Sequence, residues 1–380
     1  MTITSDFNLQ SLNTKEYAEN LRVTIEFGGK LMVFGQRGIG KTSIARDMIK
    51  SLGYKELYLN LSLFERPDLT GFPRVFTAKD ADRYLQFLLP TFYKDMLEGD
   101  TPVVALLDEL DKADHTLYAP LLEFFDTKSF NAMQLPNLKA IIGTGNLLSE
   151  GGSIPPAPLL DRAEKFLLHI DPRHFLDWGA ISKKLHPSVS AYIAENPTDL
   201  CGKLDQGEDL AGQSPRAWTN ASQLLIFGEK HNWHPAMMLH KVAGCVGKKI
   251  GTKYSVFFEH YQVLLPIVDR IMQGEKVPEF NQFENTKQLV VCMIMCQRYA
   301  QMLDDCREKS NAKSRNNPTA SPEVIKTGTL ISKFLRNTDP EMALISIRGQ
   351  IGSQRVLDFN LIEDENWDRI LTDLLAKING

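Results

Sequence analysis

The sequence predicts an α/β fold with a doubly wound parallel β-sheet, followed by an α-helical region and a small mixed C-terminal region. Val103–Leu107 is continuously apolar, which is typical of a strand buried on both faces of a sheet. A glycine-rich turn joins the apolar run Lys30–Phe34 to a segment with helical periodicity. Strands that alternate with helices favour a parallel sheet whose ligands bind at the carboxyl ends of the strands.

Other apolar or periodic runs along the chain predict the remaining elements of this fold. Further strands are predicted at Leu57–Leu61, Lys139–Gly143 and Phe166–Ile170. Helices are predicted near Thr14–Leu21 and at Lys41–Leu52. The turn-rich segment Phe64–Phe72 is predicted to be a loop, and Arg74–Leu89 to form a hairpin or a short helix.

Composition narrows the functional classes. The 380 residues exceed one ordinary core, so two or three domains are expected, and 43% hydrophobic residues suffice for sizeable cores. The formal net charge of −4 gives no overall basic field that would draw the chain to nucleic acid or to an anionic membrane. Five cysteines in so long a chain favour a reducing compartment over a disulfide framework. Because Met1–Tyr17 is polar and no run approaches the length of a membrane span, we expect a soluble, cytoplasmic protein with no membrane partner.

The turn after the first of these strands matches the phosphate-binding pattern G-x-x-x-x-G-K-[ST]. The residues predicted to bind a nucleotide are Gly35, Gln36, Arg37, Gly38, Ile39, Gly40, Lys41, Thr42 and Ser43. Glycines allow a tight turn in which backbone N–H groups point at phosphate oxygens, and the next helix directs its N-terminus at the same anion. Lys41 can reach the β- and γ-phosphates, and the Thr42 hydroxyl can ligate Mg²⁺. ATP and Mg²⁺ are therefore the predicted cofactors.

Acidic and amide side chains follow two further strands. Asp108 comes directly after Val103–Leu107, where a carboxylate can hold Mg²⁺ directly or through water. Glu109 is predicted to orient or deprotonate the attacking water as a general base. Asn146 follows the strand Lys139–Gly143 and is predicted to contact the γ-phosphate or that water. The combination indicates hydrolysis, because a protein that only binds nucleotide has no use for a water-positioning acid.

With these motifs the sequence resembles the AAA+ ATPases and, among them, the MoxR family, from about Leu21 to Pro278. The resemblance is carried by Gly35–Thr42 as Walker A, Asp68–Gly71 as the D-[LI]-T-G signature, Leu106–Ala113 as Walker B, Gly143–Asn146 as sensor 1, Leu160–Arg162 as the L-D-R motif and Ser214–Trp218 as the start of sensor 2. Three positions depart from the family pattern. Leu147 stands in place of proline, Gly145 in place of glutamine, and Ala163 in place of the phenylalanine of L-D-R-F.

The resemblance implies a ring, usually a hexamer, with a nucleotide at each subunit boundary. Arg162 is then an arginine finger that reaches the neighbouring subunit's nucleotide and stabilises charge on the transferring phosphoryl group. The alternative for Arg162 is an ion pair with Asp161 or Glu164 at a helix start. The resemblance also implies that the ring remodels or activates a partner protein, a metal-binding protein of the von Willebrand factor A type.

Arg216 follows Pro215, and Ser214 before them is a suitable N-cap, so a helix is predicted at Arg216–Phe227. By resemblance, Arg216 is the sensor 2 residue at the base of a lid helix that closes on the nucleotide.

Three parts of the chain are predicted from these motifs. Residues 1–172 form the AAA+ nucleotide-binding core, residues 173–275 form a helical lid with sensor 2, and residues 276–380 form a C-terminal region of unknown role. Residues 310–322 are polar and helix-breaking, which is typical of a linker. Beyond the linker, the periodicity predicts a helix at Glu323–Leu335, a strand within Ile345–Leu361 and an amphipathic helix at Trp367–Ile378.

Two groups of potential metal-binding or reactive residues give weaker signals. His231, His234 and His240 lie close in sequence but lack a common helix and the cysteine pair of a zinc site. Cys292 and Cys296 share one face of a helix with apolar neighbours, which favours core packing.

Other functional classes remain open from the sequence. A nucleic-acid ring motor or a nucleotide-dependent restriction subunit needs basic residues that face a pore, and Lys128, Lys139 and Arg74 are the candidates. Nucleic acid is therefore not a favoured partner, but it is not ruled out by the sequence. A non-hydrolysing switch is disfavoured by Glu109, and a small-molecule kinase does not need a lid that contains Arg216.

Replacing Arg216 tests the predicted sensor. Arg216→Ala is expected to keep the fold and to weaken the effect of ATP on assembly, because the lid no longer contacts the γ-phosphate. Sedimentation with and without a slowly hydrolysed ATP analogue measures this effect. A variant that assembles with nucleotide as the wild type does would show that Arg216 is not a sensor.

Overall fold

The computed structural model describes residues 9–77, 83–131, 133–182, 184–202, 212–309, 322–339, 342–343 and 346–347. The chain divides into two compact units, Met1–Asp171 and Pro172–Gly380. The division of the second unit into a lid and a C-terminal region stays a prediction.

The first unit contains a six-stranded parallel sheet. In chain order its strands are β1 (Gln10–Leu12), β2 (Lys30–Gly35), β3 (Lys55–Asn60), β6 (Val103–Asp108), β9 (Leu138–Gly145) and β10 (Glu164–Leu168). Their order across the sheet is β1-β10-β2-β9-β6-β3. This arrangement confirms the predicted parallel α/β sheet, and it places the strand before the glycine-rich turn between β10 and β9.

Register brings the functional segments to one edge of the sheet. Phe34 of β2 pairs with Gly145 of β9, and Leu107 of β6 pairs with Gly143 of β9. On the other side of β6, Asp108 pairs with Asn60 of β3. Because the strands are parallel, the glycine-rich turn, Asp108 and the residues after β9 all follow carboxyl strand ends.

The described residues of the first unit also form helices and two hairpins. The helices are α1 (Thr14–Phe27), α2 (Lys41–Ser51), α3 (Arg66–Thr70), α4 (Tyr93–Glu98), α5 (Tyr118–Thr127) and α6 (Ala157–Leu160). The hairpins pair β4 (Phe72–Thr77) with β5 (Arg83–Leu88), and β7 (Ser129–Phe130) with β8 (Met133–Gln134).

Two local predictions differ from the structure. The helix predicted near Thr14–Leu21 continues to Phe27 and ends at Gly28, whose φ of 85° gives a left-handed C-cap. The predicted loop Phe64–Phe72 contains the short helix α3, because Glu65 and Asp68 form a reciprocal capping box at its start. Of the two alternatives for Arg74–Leu89, the structure contains the hairpin.

The core of the first unit surrounds the central strands. Val103–Leu107 is buried along its whole length, as its continuous apolar run predicts. On one side of the sheet, the aromatic rings of Phe124 and Phe130 stack with centroids 4.6 Å apart, and Tyr93 meets Phe130 edge to face at 5.3 Å. These rings pack in one buried cluster with Ala105, Leu107 and Ile141 of the strands whose ends carry the polar residues.

The second unit is helical in the part that the structure describes. Its helices are α7 (Pro172–Ser182), α8 (Pro187–Glu195), α9 (Pro215–Lys230), α10 (Pro235–Val246), α11 (Lys248–Met272), α12 (Asn285–Lys309) and α13 (Pro322–Arg336). Trp218 is fully buried, its indole N–H donates to the Asp199 carbonyl at 2.9 Å, and its ring lies 5.3 Å from Tyr192. Cys292 and Cys296 are buried, as core packing predicts.

Several predicted C-terminal elements lie outside the described residues. These are residues 310–321 of the linker predicted at 310–322, the helix Trp367–Ile378, and all but two residues of the strand predicted at Ile345–Leu361. The two described residues, Ser346 and Ile347, are helical. The last residue of the predicted linker, Pro322, is the first residue of α13. In the ranges that are described, no helix is both long and apolar enough to cross a membrane.

The buried indole allows a test of the second unit's core. Trp218→Ala is expected to lower the free energy of unfolding by about 3–5 kcal/mol, because it removes a large buried ring and leaves a cavity. Denaturant unfolding, followed by circular dichroism, measures the change. Trp178→Ala is the matched control, since this indole is 38% exposed and its loss is expected to cost much less. Equal costs for the two variants would contradict the assignment of Trp218 to the core.

Candidate functional site

The glycine-rich turn leaves β2 at Gly35 and leads directly into α2. A Cβ at Gly35 would lie 2.7 Å from the Leu168 carbonyl oxygen and 2.8 Å from Ile39 Cδ1, so only glycine fits between β10 and the turn. Gly40 has a φ of 99° and precedes the first residue of α2. These features give the turn the shape in which successive backbone N–H groups can point at an anion.

Lys41 is the first residue of α2, directly after the turn, and is 7% exposed. Its ammonium group donates to the carbonyl oxygens of Gly35 at 2.7 Å and Gln36 at 2.8 Å, and to Asn146 Oδ1 at 3.1 Å. The Tyr17 hydroxyl donates to the Lys41 carbonyl at 3.2 Å, and burial raises the pKa of Tyr17 above its usual value, so this donor stays protonated. The amino group is thus held at the turn, where a phosphate can replace the carbonyl contacts.

The tip of the turn is held by a residue that the sequence analysis missed. Glu150 Oε2 accepts from the Arg37 backbone N–H at 2.6 Å, and the Arg37 guanidinium donates to the Glu150 carbonyl. Glu150 belongs to a short 3₁₀ turn, Leu148–Glu150, just after β9. Nothing in the local sequence pairs this carboxylate with the turn, because 113 residues separate the two.

Asp108 is surrounded by hydrogen-bond donors. Its carboxylate accepts from the Thr42 hydroxyl at 2.9 Å, from the Tyr58 hydroxyl at 2.9 Å, from the Thr144 hydroxyl and from the Glu109 backbone N–H at 3.1 Å. Burial, and then the hydrogen bond to Asp108, raise the pKa of Tyr58, so its phenol remains a donor. The sequence patterns predict no role for Tyr58 or Thr144. The position of Thr144 near the end of β9 is the signal that could have indicated one.

The residues predicted to bind Mg²⁺ are brought together. The Thr42 hydroxyl and the Asp108 carboxylate are in direct contact, and both are oxygen ligands of the kind Mg²⁺ prefers. Among the described residues there is no group of three or more His, Cys, Asp or Glu side chains that could hold a metal by itself. Mg²⁺ is usually held by one or two carboxylates together with substrate phosphates.

Glu109 adopts a left-handed backbone conformation with φ 55°. Its carboxylate accepts from the Lys112 ammonium at 2.9 Å. Hydrogen bonds from Lys112 and then Ser62 lower the pKa of Glu109, and they outweigh partial burial and the neighbouring Asp108, which act in the opposite direction. Glu109 is therefore ionised near neutral pH, as a general base must be before it takes a proton.

Asn146 is 8% exposed and lies between two charged groups. Its Oδ1 accepts from Lys41, and its Nδ2 lies 3.3 and 3.5 Å from the two carboxylate oxygens of Asp111. Asp111 is 1% exposed, and the sequence analysis gave it no role. Lys41, Thr42, Asp108 and Asn146 thus form one connected site, and Glu109 follows Asp108 at its border.

Arg162 lies away from this site. It immediately precedes β10, which runs parallel to β2 with Glu164 beside Leu31 and Leu168 beside Gly35. Arg162 is therefore at the amino edge of the sheet, whereas its own glycine-rich turn is at the carboxyl edge. The structure does not bring Arg162 together with the other predicted catalytic residues of the same chain.

The alternative ion pairs proposed for Arg162 are wrong. Its guanidinium lies 3.5 Å from Asp126 and also donates to the Pro158 carbonyl. Asp161 instead lies 3.9 Å from Lys165, and Glu164 accepts from Thr24 at 3.0 Å. Arg162 borders an open cleft of about 870 Å³, whose lining also includes the exposed residue Phe27.

Some of the basic residues considered for nucleic-acid binding form hydrogen bonds within the fold. The Lys128 ammonium donates to the carbonyl oxygens of Gly28 at 2.9 Å and Lys139 at 2.6 Å. Burial, with Lys30 and Lys139 nearby, lowers the pKa of Lys128. Because Asp126, Asp161 and Glu164 line the same cleft, this face does not form a basic track. Arg74 is exposed on the β4–β5 hairpin.

Arg216 lies in the second unit, in the first turn of α9. Ser214 caps this helix by accepting from the Ala217 N–H at 3.2 Å, and Arg216 is exposed. The role of Arg216 at the nucleotide stays a prediction. His234, one of the three histidines considered for zinc, caps α10 through Nδ1, which accepts from the Ala236 N–H at 3.3 Å.

Comparisons with known proteins give only partial or distant similarities. No family model matches the chain. A Lon protease from Porphyromonas gingivalis is 29% identical over 147 residues, which are 35% of this chain and 16% of that protease. The chain therefore spans a small part of this curated relative.

Two solved structures are similar at low identity. A mutant of RuvB from Thermotoga maritima is 12% identical with a TM-score of 0.37, over 60% of this chain and 66% of the RuvB chain. Hsp104 in a closed state with ATPγS and casein is 17% identical with a TM-score of 0.31, over 41% of this chain and 32% of that chain. The strand order around the glycine-rich turn and the helical second unit agree with the predicted architecture. The fold is an α/β fold in which a phosphate-binding turn follows β2, a strand inside the parallel sheet.

Lys41 and Glu109 lie at different places in the site, so we expect their replacement to affect nucleotide binding and ATP hydrolysis differently. Lys41→Ala is expected to abolish nucleotide binding, because it removes the ammonium at the centre of the turn. Glu109→Gln is expected to keep binding and to lose hydrolysis, because the amide cannot accept a proton. Binding of a fluorescent ATP analogue and release of phosphate measure the two effects.

The exposed residue Lys50, in the last turn of α2, gives a matched control for the lysine substitution. Lys50→Ala is expected to bind and hydrolyse as the wild type does. Near wild-type hydrolysis by Glu109→Gln would show that Glu109 is not the general base.

Proposed function

We propose that this chain is a MoxR-type AAA+ ATPase that hydrolyses ATP at the subunit boundaries of a ring and remodels or activates a partner protein. The single observation that carries the ATPase proposal is the meeting of Lys41, Thr42, Asp108 and Asn146 at the carboxyl edge of the sheet, with Glu109 beside them. These are a phosphate-binding ammonium, two oxygen ligands for Mg²⁺, an amide and an ionised carboxylate. Together they can bind the phosphates, hold Mg²⁺ and activate water for phosphoryl transfer.

Each residue then has one task in hydrolysis. Lys41 leaves its carbonyl contacts and pairs with the β- and γ-phosphates, while the turn's N–H groups bind the remaining phosphate oxygens. Thr42 and Asp108 would hold Mg²⁺, which would supply positive charge to offset the charge of the phosphates. Glu109 accepts a proton from water as the water oxygen bonds to the γ-phosphorus. The bond from that phosphorus to the β-phosphate oxygen breaks, and ADP leaves with the bonding pair.

The position of Arg162 supports a ring. Its guanidinium is at the amino edge of the sheet, and the P-loop of the same chain is at the carboxyl edge. An arginine there is poorly placed for its own nucleotide but can face the nucleotide edge of a neighbouring copy. We therefore assign Arg162 to the site of the next subunit, in a ring that the family resemblance suggests is a hexamer.

Action on a protein partner rests on the resemblance of the motifs to the MoxR family. That resemblance points to a metal-binding partner of the von Willebrand factor A type. The cleft around Lys128 gives no specific support for the nucleic-acid alternative, because acidic residues share it and the Lys128 ammonium is bonded to carbonyl oxygens.

Mixing two inactive variants tests whether Arg162 acts in a neighbouring subunit. Lys41→Ala subunits cannot bind ATP, and Arg162→Ala subunits cannot donate the guanidinium, so each is expected to be nearly inactive alone. A guanidinium supplied by a neighbour contributes on the order of 10³–10⁵ in rate in the studied GTPases. Mixed rings are expected to recover part of the phosphate release, because some boundaries pair an intact P-loop with an intact Arg162.

Subunit exchange is verified first with two fluorescent labels. The control mixes Arg162→Ala with the double variant Lys41→Ala/Arg162→Ala, and it is expected to stay inactive at every ratio because no subunit donates a guanidinium. Recovery that peaks at intermediate ratios supports action between subunits. An inactive profile in the test mixture, despite exchange, would place the action of Arg162 within its own subunit or in structure alone.

A further inference from the structure

Asp111 is a buried carboxylate beside the nucleotide edge that the proposed reaction does not use. It lies in the 3₁₀ turn Leu110–Lys112, directly after Asp108 and Glu109, and is 1% exposed. Removing a carboxylate from water is costly unless other groups satisfy its charge. The contacts of this side chain therefore indicate what it does for the site.

The carboxylate of Asp111 fits a space built by glycines. A Cβ at Gly152 would lie 2.9 Å from its Oδ2, and a Cβ at Gly145 would lie 3.3 Å from its Oδ1. The backbone of Asp111 is fixed as well, since its carbonyl accepts from the Ser153 N–H at 3.1 Å and from the Ser153 hydroxyl. Within this space, Asn146 Nδ2 lies 3.3 and 3.5 Å from the two carboxylate oxygens.

The two ends of the Asn146 amide face opposite charges. Its oxygen accepts from the Lys41 ammonium at 3.1 Å, and its nitrogen faces the Asp111 carboxylate. A flipped amide would place its NH₂ against an ammonium that has no acceptor, and its oxygen against a carboxylate that has no donor. Both contacts would then be repulsive, and burial strengthens such electrostatic terms. The two charges therefore select one orientation of the amide.

We infer that Asp111 is a positioning residue that fixes the Asn146 amide with its oxygen toward the nucleotide, so that Asn146 acts there as a hydrogen-bond acceptor. This inference rests on the proposed ATP hydrolysis. While Nδ2 is held by Asp111, Asn146 accepts from Lys41 or from the attacking water. Its oxygen then faces the reacting groups, and an amide oxygen cannot pair with a phosphate oxygen because neither carries a proton. Of the two contacts expected for Asn146 from the sequence, the γ-phosphate or the water, this orientation of the oxygen favours the water.

The test is a double-mutant cycle between Asp111 and Asn146. Asp111→Asn keeps the size of the side chain and an acceptor oxygen, but it removes the charge that selects the amide orientation. It is expected to lower kcat by about tenfold and to change the nucleotide Kd by less than about twofold, because one charged hydrogen bond is lost in the reacting complex. Asn146→Ala is expected to lower kcat at least as much.

The double variant shows whether Asp111 acts through Asn146, because the effects of the two substitutions on kcat then do not add. On the Asn146→Ala background, Asp111→Asn is expected to have no further effect on kcat, because Asp111 acts through the amide that is already absent. Single-turnover phosphate release resolves these slow rates. Asp114→Asn is the matched control. It makes the same chemical change three residues away, where the side chain is exposed and caps the next short turn, and it is expected to hydrolyse ATP as the wild type does.

Thermal unfolding without nucleotide provides a second cycle that does not depend on hydrolysis. Asn146→Ala is expected to lower Tm by a few degrees, roughly 2–4 °C for each kcal/mol lost, because Asp111 is left without its donor. Adding Asp111→Asn to that variant is expected to restore part of the loss, because the uncompensated charge is removed.

The outcomes separate the two proposals. If the wild type releases no phosphate, the proposed function fails, and the Tm cycle still decides whether Asp111 and Asn146 are coupled. If the wild type is active but the effects on kcat simply add, Asp111 does not act through Asn146 and the inference is overturned. A fall in nucleotide affinity for Asp111→Asn that equals its fall in kcat would also overturn it, because the residue would then act in binding and not in positioning the amide for reaction.

Discussion

The carboxyl edge of the sheet, where the candidate site lies, depends on the parallel pairing of β2 with β9 and of β9 with β6. Because the three strands run in one direction and in close register, their carboxyl ends deliver Lys41, Asn146 and Asp108 to one place. The fit at Gly35 keeps β10 close on the other side of β2, since any side chain there would collide with the Leu168 carbonyl. If this pairing shifted by one residue, side chains that now face the site would point to the other face of the sheet.

Charge balance is the second constraint on this edge. The carboxyl edge contains the buried ammonium of Lys41 and the carboxylates of Asp108 and Asp111. Each of these charged groups has hydrogen-bond partners. The side chains that donate to Asp108 are neutral hydroxyl groups. Its carboxylate can therefore exchange a hydroxyl contact for a metal ion without leaving another charged side chain unpaired. Lys41 is held by two carbonyls and one amide, all of which a phosphate can replace. The site is thus organised in advance around charges that the nucleotide and Mg²⁺ would complete.

The sheet also separates two functions in space. Residues that would bind and hydrolyse a nucleotide lie at the carboxyl edge, and Arg162 lies at the amino edge beside the Asp126 carboxylate. A single copy therefore has an incomplete set of groups for the proposed reaction. Under the proposed action of Arg162 at a neighbouring site, this separation makes assembly a condition for activity.

The sequence by itself determined the local chemistry. The pattern at Gly35–Thr42, the apolar run before Asp108 and the strand before Asn146 are each contained in a few consecutive residues, so their elements and order were predictable. Helix α3 was missed because capping by Glu65 outweighed a turn-rich composition. The tertiary structure alone decided which side chains meet. Thr144 joins Asp108 across 36 residues, and Glu150 joins Arg37 across 113. Such contacts depend on which strands become neighbours, and strand order follows from the packing of the whole sheet, which no local pattern encodes.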